Sequence, residues 1–167
     1  MVLVPMLIEA GISVRHEKIL RQQGAREPVD DVIGVMQWAY PAAFACAIVE
    51  GWLRRTSADG IMVSGAIVFL AAKALKYWAI STLGTRWTFR VLVPPGSAPI
   101  RSGPYAFVRH PNYVAIVGEL VGVSLMCHAW VAGPVATLGF GLLILARVRV
   151  EERAMTQPER SESKGLS

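Results

Sequence analysis

A chain of 167 residues with 53% hydrophobic and only 17% charged residues is depleted in charge, since a soluble domain carries about a quarter. Its formal charge of +5 raises the question of nucleic acid, but nucleic-acid binders show a basic face on a soluble fold, and here long stretches have almost no charge. Cys46 and Cys127 are too few for a disulfide framework and both lie in apolar runs. An all-α bundle of about four to five transmembrane segments fits length and composition.

In chain order, residues 1–14 are apolar but broken by Pro5 and Glu9. The stretch is too short to span alone and lacks the basic leader and small-residue cleavage site of a signal peptide. It reads as an interfacial helix or as what remains of a longer first span. Arg15 to Asp31 is dense in mixed charge. Ile33 to Leu53 supplies 21 residues with Glu50 as its only charge, enough for a span of about 20. Glu50 and Arg54 are spaced for an i,i+4 pair. Ile61 to Ile80 supplies 20 more, with Lys73 and Lys76 toward its far end.

Ser81 to Tyr113 is rich in Gly, Pro and Arg. Val114 to Ala146 then runs for 33 residues with only Glu119 and His128 ionisable, roughly 50 Å as one helix and too long for a single crossing. A helical hairpin is expected, broken at Gly133-Pro134, with a short second arm. Gly118 and Gly122 form a GxxxG suited to helix packing. Residues 1–153 read as one membrane-embedded domain and 154–167 as a disordered polar tail.

Basic residues set the orientation. Of the 17 lysines and arginines, 13 fall in segments 15–31, 81–113 and 147–164, all on one side of this topology. Only Arg54 and Arg55 face the other side, and Lys73 and Lys76 can snorkel toward the crowded one. The crowded side is the cytoplasmic one. Most of the positive charge therefore serves orientation and lipid headgroups.

The stretch from Pro94 to Tyr113 is the most unusual. Prolines 94, 95, 99, 104 and 111 forbid a long helix there, and Gly96 and Gly103 permit turns. Arg101, Tyr105, Arg109, His110, Asn112 and Tyr113 are packed among them, either as a connector at the membrane interface or as groups held toward one ligand. Glu119 lies inside a span, where charge is costly and a functional candidate. The alternative is a structural pair with Arg109 or a lysine of the second span. His128 reads as a hydrogen-bonded structural residue. Arg147 and Glu151 share a helix face if the last helix continues. No Cys/His cluster has metal-ligand spacing, and GxGxxG, Walker and nucleophile-elbow motifs are absent.

The run Gly103-Pro-Tyr-Ala-Phe-Val-Arg-His-Pro-Asn-Tyr113, the acid at Glu119 and the helix ending Arg147-Val-Arg-Val-Glu-Glu152 resemble the isoprenylcysteine carboxyl methyltransferase family. Leu83-Gly-Thr-Arg-Trp87 and the Arg15-to-Gly24 stretch add support, and the resemblance extends from about residue 9 to 153. It looks closest to a small bacterial branch, some of whose members methylate alkylpyrones or alkylresorcinols. The departure is at the start, where relatives carry a full first transmembrane helix and eight residues here precede Glu9.

The resemblance implies an integral-membrane enzyme, in a bacterial inner membrane, that takes a methyl group from S-adenosylmethionine. Carried over by motif, Ser97, Ala98, Pro99, Ile100, Tyr105, His110, Pro111, Asn112, Tyr113 and Glu151 would hold the cofactor. Arg147 would meet the substrate, His110 would be the base for a phenol or enol, and Glu119 is the third candidate. The implied partners are a lipophilic or lipidated acceptor and membrane lipids. A phospholipid or amine N-methyltransferase, a sterol-type reductase using NADPH and a non-catalytic membrane relative are the alternatives.

Overall fold

The computed structural model describes residues 3–25, 27, 32–92, 94 and 100–156. Among them are five α-helices and no strand: α1 (Leu3–Gln22), α2 (Ile33–Leu53), α3 (Gly60–Leu83), α4 (Pro111–Met126) and α5 (Ala132–Thr156). Short 3-10 turns occupy Gly84–Arg86 and Gly103–Ala106. Ile33–Leu53, Gly60–Arg86 and Ala132–Arg153 are long and apolar enough to cross a membrane, while α4 is a shorter apolar helix. The protein is an all-α helical membrane protein, as its composition predicts. Residues 157–167, most of the predicted tail, lie outside the described residues.

The chain divides into two compact units. One holds Met1–Ile33, Thr85–Ala98 and Leu145–Ser167; the other holds Gly34–Gly84 and Pro99–Ile144.

In the second unit α3 and α4 are antiparallel and meet through small residues. A Cβ on Gly65 would lie 2.6 Å from the Met126 nitrogen, and one on Gly122 would lie 2.7 Å from the Phe69 nitrogen. A Cβ on Gly118 would lie 2.9 Å from that of Ala72. Lipid is as apolar as a leucine side chain, so membrane helices gain by close backbone approach rather than by hydrophobic burial. Gly118 and Gly122 thus do the packing their spacing suggests. Phe44 of α2 is buried and sits edge-on to Tyr40 at 5.0 Å and to Phe69 at 6.4 Å between centroids. Tyr40 also meets Phe140 of α5 at 5.4 Å.

Two carboxylates tie the ends of these helices together. Glu50 of α2 accepts the backbone N–H of Val131 at 3.1 Å and of Ala132 at 2.6 Å, while the Arg54 Nε donates to it at 2.8 Å. The expected Glu50–Arg54 pair forms, and Glu50 also serves the first turn of α5, whose N–H groups have no partner within the helix. Asp59 caps α3, accepting the Met62 N–H at 2.9 Å. Its other oxygen is 3.0 Å from Nε2 of His128.

The hairpin departs from its predicted break. The turn is at residues 127–131, and α4, with 16 residues, is the short arm, while α5 has 25. At the turn His128 N–H bonds to Leu125 O, Ala129 N–H bonds to Ser124 O, and His128 takes a φ of 50°. This is a Schellman motif, with the left-handed residue just past the helix end. Gly133 and Pro134 fall instead in the first turn of α5, where a missing proline N–H costs nothing. The same bond pattern ends α2, through Arg55 at φ 51°. Lys73 and Lys76 do not snorkel: both are buried, because a carboxylate waits for them inside the unit.

In the first unit the charged stretch after residue 14 continues α1 to Gln22. A third Schellman motif closes it, with Gly24 at φ 78° and the Ala25 N–H on Leu20 O. Leu20 and Trp87 are buried here, and Trp87 packs edge-on against Phe89 at 5.3 Å.

Candidate functional site

The predicted loop residues of the second unit gather ahead of α4. Gly103 takes φ 55° and a Cβ there would run into the Thr82 side chain, so this turn demands glycine. Pro104, buried at the start of the 3-10 turn, accepts the N–H groups of Phe107 and Val108. Tyr105 sits within that turn, its N–H bonded to Ser102 O at 3.1 Å. His110 is the residue before α4 and its carbonyl accepts the Tyr113 N–H at 3.1 Å, but its side chain does not cap the helix. The His110 ring lies 5.7 Å from that of Tyr113.

Pro111 opens α4 and is buried, and Asn112 Oδ1 is buried with no hydrogen-bond partner. A buried amide oxygen without a donor costs about 1–3 kcal/mol. It is placed beside a helix N-terminus, which favours anions. Donor-bearing and carboxylate-bearing ligands both suit such a corner. Ile100 is half-buried ahead of it. Ser97, Ala98 and Pro99 lie outside the described residues.

Two turns into α4, Glu119 is fully buried. The Tyr40 hydroxyl donates to its Oε2, Lys73 Nζ lies 3.1 Å from Oε2, and Lys76 Nζ lies 3.3 Å from Oε1. Lys76 also sits over the Tyr40 ring at 5.2 Å. The structure shows the pairing of Glu119 with the lysines of the second span, not with Arg109. The signal for it was present, since 73 and 76 are one turn apart on α3. Nothing near Tyr40 in sequence marks it as a further partner of Glu119.

The first unit holds Arg147 and Glu151, on one face of α5 with Nε to Oε1 at 3.5 Å. Arg147 is only 3% exposed, and its Nη2 donates to the Phe89 carbonyl. Phe89 belongs to the segment 85–92, which α1 also holds. Ser13 Oγ accepts the Phe89 N–H at 2.7 Å and donates to Glu17 Oε1 at 2.8 Å. His16 Nδ1 is 2.8 Å from the Trp87 carbonyl. Arg90 pairs with Glu17 at 3.5 Å and with Glu27. Burial works against the Glu27 carboxylate, yet hydrogen bonds from Arg90 and Arg21 hold it below the usual range. Sequence does not mark Phe89 as the partner of Arg147, or Ser13 as that of Phe89, since the first pair stands 58 residues apart and the second 76. Among the described residues no group of three or more His, Cys, Asp or Glu side chains is placed to hold a metal ion.

An all-helical membrane protein with a polar corner ahead of one helix and a buried, bonded arginine in another is the class defined here. The chain belongs to the isoprenylcysteine carboxyl methyltransferase family, which it matches over residues 65–157. That membership suggests a membrane methyltransferase.

The chain is 26% identical to the uncharacterized protein YpbQ of Bacillus subtilis (strain 168), over 93% of this chain and 92% of the relative. It is 31% identical to an uncharacterized protein of Haemophilus influenzae, over 87% of this chain and 86% of that one. It is also 28% identical to the cobalt-zinc-cadmium resistance protein CzcN of Cupriavidus metallidurans, over 62% of this chain and 48% of that protein. No solved structure matches it.

Proposed function

We propose that the protein is an S-adenosylmethionine-dependent O-methyltransferase whose acceptor is a lipophilic carboxylate, phenol or enol held in the membrane. The family match carries this reading, because residues 65–157 include every proposed site residue. When bound, S-adenosylmethionine supplies an electrophilic methyl group on a sulfonium. The α4 N-terminus and the unpartnered Asn112 Oδ1 suit its amino-acid portion, a carboxylate for the helix end and an ammonium for the amide oxygen. Tyr105 and His110 to Tyr113 are the binding residues proposed in that unit. Ser97 to Ile100 and Glu151 carry the same role over from the family motif.

Displacement at a methyl group asks the protein for positioning and electrostatics rather than covalent chemistry. Arg147 would orient an acceptor carboxylate, which is already ionised near neutral pH and needs no base. For a phenol or enol His110 would take the proton. Glu119, fixed between Lys73, Lys76 and Tyr40, holds α4 against α3 and so places the residues that open α4. The excess of basic residues in segments 15–31, 81–113 and 147–164 supports a cytoplasmic position for these groups.

The test is calorimetry with S-adenosylmethionine on detergent-solubilised protein, followed by transfer of labelled methyl to N-acetyl-S-farnesylcysteine and to an alkylresorcinol. Binding, with transfer to one of the two, is the expected result. Arg147→Ala is expected to abolish turnover while the cofactor still binds. No binding of S-adenosylmethionine or of its demethylated product would overturn the reading.

A further inference from the structure

The Phe89 residue is held on both sides. Its N–H goes to Ser13 Oγ at 2.7 Å, and its carbonyl takes Nη2 of Arg147. Ser13 is fully buried in α1, and Arg147 is nearly so. The Ser13 hydroxyl spends its own hydrogen on Glu17 Oε1 at 2.8 Å. A hydroxyl that donates to a carboxylate is polarised, which strengthens its oxygen as an acceptor. At the other end Nε of Arg147 faces Glu151 at 3.5 Å. One polar chain therefore runs from Glu17 through Ser13 and Phe89 to Arg147 and Glu151, drawing on three separate stretches of sequence.

Residues 85–92 lie outside regular secondary structure beyond Arg86, so no ladder of backbone bonds fixes the Phe89 carbonyl. Its direction depends on bonds made around it, among them the one from the Phe89 N–H to Ser13 and the one from the Thr88 hydroxyl to the Arg90 carbonyl at 2.6 Å. An arginine has several rotatable bonds and orients a ligand only when its guanidinium is pinned by other groups.

We infer that Ser13 is a positioning residue of the methyl-transfer site, acting through Phe89 to aim the Arg147 guanidinium at the acceptor. This rests on the proposed role of Arg147 as the group that meets the acceptor. Ser13 touches neither acceptor nor cofactor. Its loss shows in acceptor affinity first, since an interaction equal in ground and transition states changes KM and leaves kcat.

Two measurements on the full chain in detergent test this, with Ser13→Ala and Ser13→Thr. Alanine is the best helix former, so Ser13→Ala removes the acceptor oxygen without weakening α1; Ser13→Thr keeps the hydroxyl. The first measurement is modification by phenylglyoxal read by mass spectrometry, with exposed Arg54 as internal reference. In the unaltered protein Arg147, 3% exposed, is expected to be protected. Ser13→Ala is expected to raise its reactivity about tenfold relative to Arg54, the scale of one hydrogen bond to a charged group, and Ser13→Thr to restore protection. The second is the kinetics of methyl transfer to N-acetyl-S-farnesylcysteine. There Ser13→Ala is expected to raise the acceptor KM about tenfold, on the same scale, with kcat and S-adenosylmethionine affinity within about twofold.

Unchanged Arg147 reactivity in Ser13→Ala overturns the inference, as does a parallel loss of cofactor affinity. If Ser13→Ala does not fold, Glu17→Gln, which weakens the polarisation of the same hydroxyl, must raise Arg147 reactivity in the same direction, or the inference falls. If the unaltered protein transfers no methyl to either acceptor yet Arg147 reactivity responds to Ser13→Ala, the hold of Ser13 on Arg147 stands and the proposed function fails alone.

Discussion

Lys76 Nζ of α3 lies 3.3 Å from Glu119 Oε1 of α4, with both side chains nearly or wholly removed from solvent. Lys73 is 3.1 Å from the other oxygen, and Tyr40 of α2 donates to it as well. One acid thus joins three helices at a depth where an ion is costly unless partnered. Breaking a buried ion pair by removing one member costs about 3–5 kcal/mol. Glu119→Leu is expected to lower the stability of the detergent-solubilised protein by that order, with Glu119→Gln losing less. Chemical unfolding followed by tryptophan fluorescence reads both, and a Glu119→Leu protein as stable as the original would refute the joint.

Asp59 provides a pH-dependent contribution whose sign follows from its bonds. The Met62 N–H chiefly, and then His128, hold its carboxyl below the usual aspartate value. A carboxyl with a lower pKa folded than unfolded stabilises the fold above the unfolded value, about 3.9, and loses that contribution as pH falls through the folded one. Asparagine caps a helix as well as aspartate but does not titrate. Asp59→Asn is therefore expected to flatten the acid side of the stability profile. Parallel profiles for the two proteins below about pH 4 would show that the Asp59 carboxylate adds nothing.

Three helices end on the same Schellman pattern with different residues in the left-handed position: Gly24, Arg55 and His128. That conformation costs a non-glycine residue about 1 kcal/mol. Arg55→Gly is expected to raise stability by about that much and Gly24→Ala to lower it similarly. His128→Gly gains the same relief but forfeits the bond to Asp59. Thermal unfolding of the three variants in one detergent separates these effects, and a destabilised Arg55→Gly would mean that the Arg55 side chain outweighs its backbone strain.

Glycine positions in the apolar helices are not equivalent. A Cβ on Gly122 would meet the Phe69 backbone nitrogen at 2.7 Å and its Cα at 2.8 Å, which no rotamer change relieves. Overpacking of this kind costs about 1–3 kcal/mol. Nothing lies within 4 Å of a Cβ placed on Gly139 in α5. Gly122→Ala is expected to destabilise by that amount, while Gly139→Ala is neutral or gains up to about 1 kcal/mol from helix propensity. Equal unfolding midpoints for the two would contradict the close approach of α3 and α4.

Features under local control are legible along the chain. Apolar length marks Ile33–Leu53 and the second span, because a membrane demands a fixed count of consecutive apolar residues. Spacing marks the Glu50–Arg54 and Arg147–Glu151 pairs and the packing role of Gly118 and Gly122, since helical period is a local property. The Gly103-to-Tyr113 run and Arg147-to-Glu152 pointed to the family.

Features that depend on distant partners emerge on folding. The hairpin turns at His128 rather than at Gly133-Pro134, because backbone bonds around Ser124–Ala129 and the Asp59 carboxylate, 69 residues away in sequence, hold a non-glycine residue in the left-handed region. The lysines of α3 stay inside because Glu119 waits there, where an isolated lysine would reach for the interface. Ser13, an unremarkable small residue in α1, acquires its partner only when residues 85–92 come alongside. Patterning along a chain reports which faces are apolar; it does not report which buried polar group finds which partner, and that pairing is where the candidate site is built.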